Sequence, residues 1–328
     1  MKKVFLAVVA VVSMLTSCST QTDVVQSEVH GDYTQYVNPL MGTQSSFELS
    51  TGNTYPAIAM PWGMNFWTPR TNRIGDGWQY TYTANKIYGF EQTHQPSPWI
   101  NDYGQFSLMP VTGEVEMDER KRASWFSHKG EVALPHYYKV YLAEYDVVTE
   151  MAPTERASMF RFTFPDADSY VVVDAYDRGS SIKVIPEENK IIGYTTRNSG
   201  GVPENFKNYF VVVFDKPFTY KATFSNDVKP AKPDASVPVT LKEGKLEQTD
   251  FHTGAVIGFK TKKGEKVHAR VASSFISPEQ AELNLKELGN DNFDTIVEKG
   301  KNRWNEVLGK TDVQGGNLDQ YRMFYSCL

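Results

Sequence analysis

The sequence predicts a mainly β protein, in which an N-terminal antiparallel β-sandwich is followed by linker helices. Residues 32–276 contain short runs of β-forming residues, separated by Gly, Pro, Asn and Asp turn signals. At Ser277 the spacing of the apolar residues changes from the strand period to the helical one. The length of 328 residues leaves room for one large β domain and a smaller helical part.

The N-terminus has the features of an export signal. Lys2 and Lys3 precede an apolar stretch at residues 4–15, which is too short to span a bilayer. A Leu-Thr-Ser-Cys motif that ends at Cys18 is similar to a bacterial lipobox, which predicts a lipid on this cysteine. We therefore expect an outer-membrane lipoprotein, facing the periplasm or the cell exterior, with a signal peptide at residues 1–18 and a tether at residues 19–31.

The strand pattern is clearest at residues 158–164, where Phe160, Phe162 and Phe164 fall on one face. Further β-rich runs lie at residues 170–174, 190–196, 209–214 and 267–276. No long helical period interrupts them, so the strands are predicted to be antiparallel and stacked as a sandwich over residues 32–276.

Helices are predicted from Ser277 onward. Ser277 is a capping residue with Pro at the next position, and this helix extends to about Leu288. A second helix begins near Phe293, carries an apolar stripe at spacings of three and four, and stops at Gly309.

A third helix is predicted to start near Asn317. Its apolar stripe, which includes Tyr321, Phe324 and Leu328, has no evident partner in the sequence. Stripes of this kind pack against further helices. We therefore expect residues 277–328 to be linker helices and the start of a helical domain, and the chain to be an N-terminal fragment.

The composition excludes several classes of function. Lys and Arg number 34 against 39 Asp and Glu, without a basic patch, so nucleic acid is not an expected partner. If Cys18 is acylated, Cys327 is the one thiol left, which rules out a disulfide framework and disfavours a zinc site. No phosphate-binding loop or Gly-x-Gly-x-x-Gly turn is present, so no nucleotide cofactor is suggested.

Aromatic, amide and imidazole side chains are concentrated between Gly52 and Gly104, among glycines and prolines. Four of the six tryptophans fall in this stretch. Indole faces suit the apolar face of a pyranose, and Asn, Asp and His can hydrogen-bond its hydroxyls. The stretch therefore predicts a carbohydrate-facing rim. The alternative is that the aromatic residues belong to the core and that the polar ones support turns.

Several motifs resemble those of glycoside hydrolase family 92, the bacterial exo-acting α-mannosidases. The similarity extends from about Asp32 to the last residue. The matching motifs are Val37-Asn38-Pro39-Leu40-Met41-Gly42-Thr43, Gly52-Asn53-Thr54-Tyr55-Pro56, Pro61-Trp62-Gly63-Met64, the block from His94 to Asn101-Asp102-Tyr103-Gly104, Met109-Pro110 and Tyr321-Arg322-Met323-Phe324-Tyr325.

The resemblance implies a β-sandwich and helical linkers that lead into an (α/α)6 barrel missing from this chain. It also implies inverting hydrolysis of α-mannosides and a requirement for calcium. The catalytic carboxylates and the calcium ligands are expected mainly in the barrel, so no catalytic or metal-binding residue is assigned here, and the chain alone is expected to be inactive. Substrate-binding candidates by motif position are His94, Trp99, Asn101 and Asp102, followed by Trp78, Asp76 and Asn53.

One departure from the family pattern bears on specificity. Many members carry His-Leu-Ser-Gly-Thr-Gly where this chain has His-Gln-Pro-Ser-Pro-Trp at residues 94–99. This sequence resembles members that act on α-1,2-linked mannose.

Three hypotheses follow for the function of the chain. The first is the N-terminal half of an exo-acting α-mannosidase that trims N-glycans or mannans, with an α-mannoside, the lipid bilayer and its own C-terminal catalytic domain as partners. The second is a stand-alone, non-catalytic mannose-binding lipoprotein. The third is a sandwich that only braces a catalytic domain. The third helix favours the first and third hypotheses over the second.

Overall fold

The computed structural model describes residues 31–44, 54–73, 79–94, 102–229 and 238–328. Within these ranges the fold is mainly β and is followed by short helices, and its strand pairs are antiparallel, which confirms the predicted fold class. The strands, in chain order, are β1 (Phe66–Arg70), β2 (Lys86–Ile87), β3 (Gly89–Thr93), β4 (Ser107–Thr112), β5 (Ser124–Trp125), β6 (Val132–Leu134), β7 (Tyr137–Leu142), β8 (Val147–Pro153), β9 (Ala157–Phe164), β10 (Ala167–Asp174), β11 (Ser180–Ile185), β12 (Lys190–Thr195), β13 (Asn208–Phe214), β14 (Tyr220–Asn226), β15 (Thr240–Glu243), β16 (Glu247–Asp250), β17 (His252–Thr261) and β18 (Glu265–Ser274).

These strands form two large sheets and one small one within the described residues. The seven-stranded sheet has the order β1-β3-β4-β10-β17-β14-β15. The nine-stranded sheet has the order β16-β11-β12-β13-β18-β9-β8-β7-β6, and β2 pairs with β5. Neighbouring strands are often distant in sequence, so the sheets bring together side chains from widely separated segments.

The main core lies between the two large sheets. As the alternation predicts, Phe160, Phe162 and Phe164 of β9 all point into it. Trp67 of the opposite sheet meets Phe160 edge-on, with ring centroids 5.3 Å apart. Phe106 stacks on Phe210 across the sheets at 4.4 Å. Offset and edge-on ring pairs of this kind add to the stabilisation from apolar burial.

Four α-helices lie within the described residues: α1 (Glu119–Arg122), α2 (Pro278–Leu285), α3 (Phe293–Leu308) and α4 (Leu318–Cys327). Polar side chains cap all four at the N-terminus. Asp118 accepts from the backbone N–H of Arg120 at 2.8 Å, Ser277 from that of Gln280 at 3.2 Å and Asn292 from that of Thr295 at 2.9 Å. Asn317 forms a reciprocal capping box at the start of α4. Helices α2 and α3 cover the outer face of the nine-stranded sheet through a second apolar cluster.

The expectation that the stripe of α4 has no partner is wrong for part of that stripe. Tyr325 is buried and packs on Tyr36 at 5.7 Å and on Tyr33 at 5.2 Å, both in the 3₁₀ turn Tyr33–Tyr36. Tyr321 and Phe324 join the same cluster, whereas Leu318 and Leu328 are exposed. Local periodicity could not reveal this partner, because it lies at the other end of the described chain.

The segments that form the candidate site lie close together at one end of the sandwich. Phe66, at the start of β1, pairs with Thr93, at the end of β3. The side-chain amide of Gln92 donates to Ser273 Oγ of β18 at 2.6 Å, which brings the nine-stranded sheet to the same place. Within the described ranges, no helix combines the length and the apolar character needed to cross a membrane.

Candidate functional site

His94 and Asp102 flank the segment 95–101 and are joined by hydrogen bonds. The Asp102 carboxylate accepts from the His94 amide through Oδ2 at 2.7 Å and from the Tyr103 amide through Oδ1 at 2.7 Å. Aspartate often orders loop backbone in this way, by accepting from nearby N–H groups. Both Asp102 oxygens are thereby engaged, so this residue ties together the two positions that flank the segment rather than reaching outward.

The imidazole of His94 is held by aromatic contacts. Its ring stacks on Tyr103 at 5.6 Å and lies 4.8 Å from Phe275, and its side chain is 4% exposed. Nδ1 lies 3.5 Å from Asp102 Oδ1, outside hydrogen-bond geometry, and neither ring nitrogen has a hydrogen-bond partner among the described residues. An unpaired buried nitrogen is costly. A ligand hydroxyl or a water that reached these buried nitrogens would satisfy them.

Strand β3 ends at Thr93, directly before His94, and the contacts of Thr93 help to position His94. Thr93 Oγ1 is hydrogen-bonded to the Tyr55 hydroxyl at 2.5 Å, and both residues are buried. Burial and the neighbouring Asp102 charge raise the pKa of Tyr55 well above its ordinary value, so the phenol stays neutral. Tyr55 belongs to one of the motifs that carry the family resemblance, and here it braces the strand that leads to His94.

A cluster of buried ionic groups, which we call the ionic cluster, lies beside this strand. Glu91 follows the core residue Phe90, so its side chain leaves the opposite face of the sheet. Arg70 Nε is 3.8 Å from Glu91, and the Tyr176 hydroxyl donates to Glu91 Oε2 at 2.8 Å. Burial raises the pKa of Glu91 to about 7, against the opposing effects of Arg70 and Tyr176.

Asp174, at the end of β10, extends the ionic cluster. It is hydrogen-bonded to His252 Nε2 at 2.7 Å and lies 4.0 Å from Arg122. Burial opposes ionisation of Asp174, but His252 and Arg122 hold its pKa below the ordinary value. Burial likewise opposes protonation of His252, yet Asp174 raises its pKa above the ordinary value. This ion pair is therefore a satisfied structural feature of the fold.

The structure corrects the interpretation of the tryptophans. Trp67 is fully buried in the main core, so it cannot face a carbohydrate. Trp62 is 76% exposed, and the side chains of Arg303 and Lys310 lie over its ring at 5.7 and 5.9 Å. The predicted rim is therefore not uniform, and each aromatic residue has to be judged by its own burial.

Several predicted positions lie outside the described residues, and their roles stay predictions. They are Asn53, Asp76, Trp78, Trp99 and Asn101, together with the lipidation site Cys18. The structure adds Phe275 and Tyr103 as the residues that hold the His94 ring. Phe275 could not be found from a local pattern, since it reaches His94 only through the pairing of β18 in the sheet.

The described residues do not fit a calcium ion. Among them, no group of three or more His, Cys, Asp and Glu side chains could hold a metal. Calcium takes about six to eight oxygen ligands. The buried carboxylates beside the site are already engaged, Asp102 by two amides and Asp174 by His252.

Comparison with known protein families gives two matches. Residues 36–274 match the glycosyl hydrolase family 92 N-terminal domain. Residues 280–328 match the glycosyl hydrolase family 92 catalytic domain. No match was found among curated proteins.

Solved structures of this family have the same fold. An inverting mannosidase of family GH92 from Bacteroides thetaiotaomicron VPI-5482 is 45% identical, with a TM-score of 0.83 over 90% of this chain and 39% of that one. A GH92 α-mannosidase from Bacteroides thetaiotaomicron is 30% identical, with a TM-score of 0.76 over 90% and 40%. Its complex with mannoimidazole is also similar, at 30% identity and a TM-score of 0.75 over 90% and 39%.

The chain spans about two fifths of the length of these relatives, 39% and 40% in the first two. The similarity covers the β-sandwich and the helices that follow it, and the motifs that carried the resemblance lie within it. Since the N-terminal domain match alone covers residues 36–274, the chain belongs to glycosyl hydrolase family 92.

Proposed function

We propose that the chain is the N-terminal part of an exo-acting, inverting α-mannosidase and supplies part of its substrate pocket. The proposed substrates are α-1,2-linked mannosides of N-glycans or mannans. The α-1,2 preference rests on the sequence at residues 94–99. In this proposal the catalytic acid and base come from the catalytic domain, of which residues 280–328 form a part.

The proposal rests on the surroundings of the His94 ring, within the fold that this family shares. Its ring is fixed between Tyr103 and Phe275 while both nitrogens lack partners among the described residues. A fixed imidazole with open hydrogen-bonding capacity suits recognition of a sugar hydroxyl, because little side-chain entropy is lost on binding. The 45% identical relative is described as an inverting mannosidase, which supports the same reaction here.

The first prediction concerns hydrolysis by the protein encoded by the complete reading frame that contains this sequence. It should cleave α-1,2-mannobiose and release β-mannose as the first product, observed by proton NMR. The 328-residue chain alone should not cleave it. His94→Ala in the complete protein should lower kcat/KM by about a hundredfold, since a positioned hydrogen-bonding group is lost.

His268→Gln provides the matched control. His268 is partly exposed and paired with Asp215 at 2.6 Å on another part of the fold, so this change should leave kcat/KM within about twofold. Faster hydrolysis of α-1,3- than of α-1,2-mannobiose would contradict the proposed linkage. Release of α-mannose first would contradict inversion.

A second prediction concerns calcium. Adding millimolar CaCl₂ to the 328-residue chain should leave its Tm unchanged, because the described residues provide no ligand group and binding must precede stabilisation. The complete protein should lose activity on treatment with EDTA and recover it with calcium, if its ligands lie in the catalytic domain. Differential scanning calorimetry with and without calcium tests the first statement, and a clear rise in Tm of the short chain would place a calcium site within it.

A further inference from the structure

The backbone of Tyr176 has an unusual conformation for a buried aromatic residue. Its φ is +66°, in the left-handed region that favours glycine. Five described non-glycine residues have positive φ, and Tyr176 is the one that is buried, with no exposed surface. Such a conformation is costly and persists only where the surroundings determine it. A glycine would adopt it without strain, so the tyrosine side chain must contribute something that offsets the cost.

The contacts of Tyr176 account for this conformation. Its amide donates to Asp174 Oδ1 at 2.9 Å, and its carbonyl accepts from Ser180 Oγ at 2.8 Å. Its hydroxyl donates to Glu91 Oε2 at 2.8 Å. Its ring lies beneath two guanidinium groups, those of Arg70 at 5.4 Å and Arg197 at 6.0 Å. Both the backbone and the side chain are therefore fixed by polar and cation–π contacts.

One of these contacts leads to the start of the His94 segment. Glu91 lies in β3, three residues before His94, and its neighbour Gln92 is tied to the other sheet through Ser273 at 2.6 Å. The hydroxyl of Tyr176 thus bonds to the strand that ends at His94. Loss of that bond would leave an acceptor of Glu91 unsatisfied in a buried setting.

The other contact leads to the end of the same segment. Arg197 is 5% exposed and forms an ion pair with Asp177, the residue after Tyr176. Its backbone carbonyl accepts from the Gly104 amide at 2.7 Å, two residues after Asp102. Gly104 has a φ of +68°, and a side chain there would meet Asn208 Cβ at 2.7 Å, so its path is closely determined.

We propose that Tyr176 is a positioning residue for the saccharide site. It acts by holding the chain on both sides of the segment between His94 and Asp102. Through Glu91 it fixes the chain before His94, and through Arg197 the chain after Asp102. This inference rests on the proposed function for its activity arm, whereas its structural arm can be tested without any substrate.

The structural arm uses amide hydrogen exchange of the 328-residue chain. Tyr176→Phe keeps the ring and removes the hydroxyl, with its bond to Glu91 and its contact with Ser107. We expect exchange at the amides of His94, Tyr103 and Gly104 to accelerate by about tenfold, the change expected for loss of one buried hydrogen bond. Arg197→Gln, which keeps the carbonyl that accepts from Gly104, should accelerate the same amides.

Tyr137→Phe is the matched control. The Tyr137 hydroxyl donates to Glu150 Oε1 at 2.6 Å, so the same chemical change is made at a tyrosine–glutamate pair on the nine-stranded sheet. It should leave the three amides unchanged. Equal acceleration by Tyr137→Phe and Tyr176→Phe, or none by either Tyr176→Phe or Arg197→Gln, would overturn the proposal, because Tyr176 would then support global stability alone.

The activity arm uses the complete protein and α-1,2-mannobiose. Tyr176→Phe should lower kcat/KM by about tenfold or more, and Tyr137→Phe should not, because small displacements of binding groups are costly to rate. Wild-type protein without mannosidase activity would refute the proposed function while leaving amide exchange to decide the inference. Active wild type with an unchanged Tyr176→Phe enzyme would refute the inference and leave the proposed function standing.

Discussion

Replacing Glu131 by leucine should lower the free energy of unfolding of the 328-residue chain by about 3–5 kcal/mol, because three polar groups lose their partner at this buried carboxylate. The Glu131 side chain is fully buried. Its Oε1 accepts from the hydroxyls of Tyr138 at 2.5 Å and Tyr80 at 3.0 Å, and its Oε2 is 2.5 Å from His128 Nδ1. Three donors therefore converge on one carboxylate.

An apolar side chain cannot satisfy the partners of Glu131. Burial and the Glu131 charge raise the pKa of both Tyr80 and Tyr138 above the ordinary value, so the two phenols remain donors. The other nitrogen of His128 faces the Tyr82 carbonyl at 2.6 Å, and its ring is stacked on Tyr82 at 4.0 Å. A leucine would leave both phenol hydroxyls and His128 Nδ1 without their hydrogen-bond partner.

Urea-induced unfolding, followed by tryptophan fluorescence at pH 7, measures this loss. Glu243→Leu is the control, since Glu243 accepts from the exposed Tyr220 hydroxyl at 3.3 Å and its replacement should cost less than about 0.5 kcal/mol. If both variants unfold at the same urea concentration, Glu131 does not stabilise the fold. Tyr80 follows closely on residues 74–78, so this network also anchors the chain next to two predicted binding residues, Asp76 and Trp78.

Local sequence signals were sufficient for several elements of the fold. The alternation at Phe160, Phe162 and Phe164 predicts a strand with one buried face, and β9 has that face. The capping signal at Ser277 and the stop at Gly309 predict helix ends that the structure also has. These signals succeed because capping and alternation depend on residues a few positions apart.

Contacts between distant segments could not be predicted in this way. Trp67 and Trp62 lie in the same aromatic stretch, yet one is in the core and the other is exposed, because their burial depends on which sheet faces them. Arg70 and Glu91 are residue types that usually lie on the surface. They are buried because β1 and β3 are adjacent and because Tyr176 packs its ring against Arg70 and bonds its hydroxyl to Glu91. The sequence Tyr-Asp-Arg-Gly at residues 176–179 predicts only a turn.

Two buried groups should give opposite pH dependences to the stability of the chain. Burial raises the pKa of Glu91 from 4.5 to about 7, with Arg70 and Tyr176 opposing. Between these values the folded carboxyl holds a proton that the unfolded one has released. The contribution of Glu91 is therefore fully present below pH 4.5 and is lost as the pH rises through 7, which amounts to about 3 kcal/mol.

His136 acts in the other direction. It is buried between the sandwich and α3, and its Nδ1 has no hydrogen-bond partner among the described residues. Burial lowers its pKa from 6.5 to about 4; Lys301 adds to this and Asp32 opposes it. The unfolded imidazole binds a proton in this range and the folded one does not. Its contribution is present above pH 6.5 and is lost as the pH falls through 4, again by about 3 kcal/mol.

Because the two windows overlap between about pH 4.5 and 6.5, the contributions should nearly cancel in the wild-type chain, and single variants should separate them. In Glu91→Gln the free energy of unfolding should rise more steeply with pH over this range than in the wild type, since Glu91 no longer opposes the contribution of His136. In His136→Gln it should fall between pH 5 and 8. Urea unfolding at half-unit pH intervals gives both curves. If the Glu91→Gln curve runs parallel to that of the wild type, Glu91 stays ionised in the fold, and Arg70 and Tyr176 outweigh burial at this carboxylate.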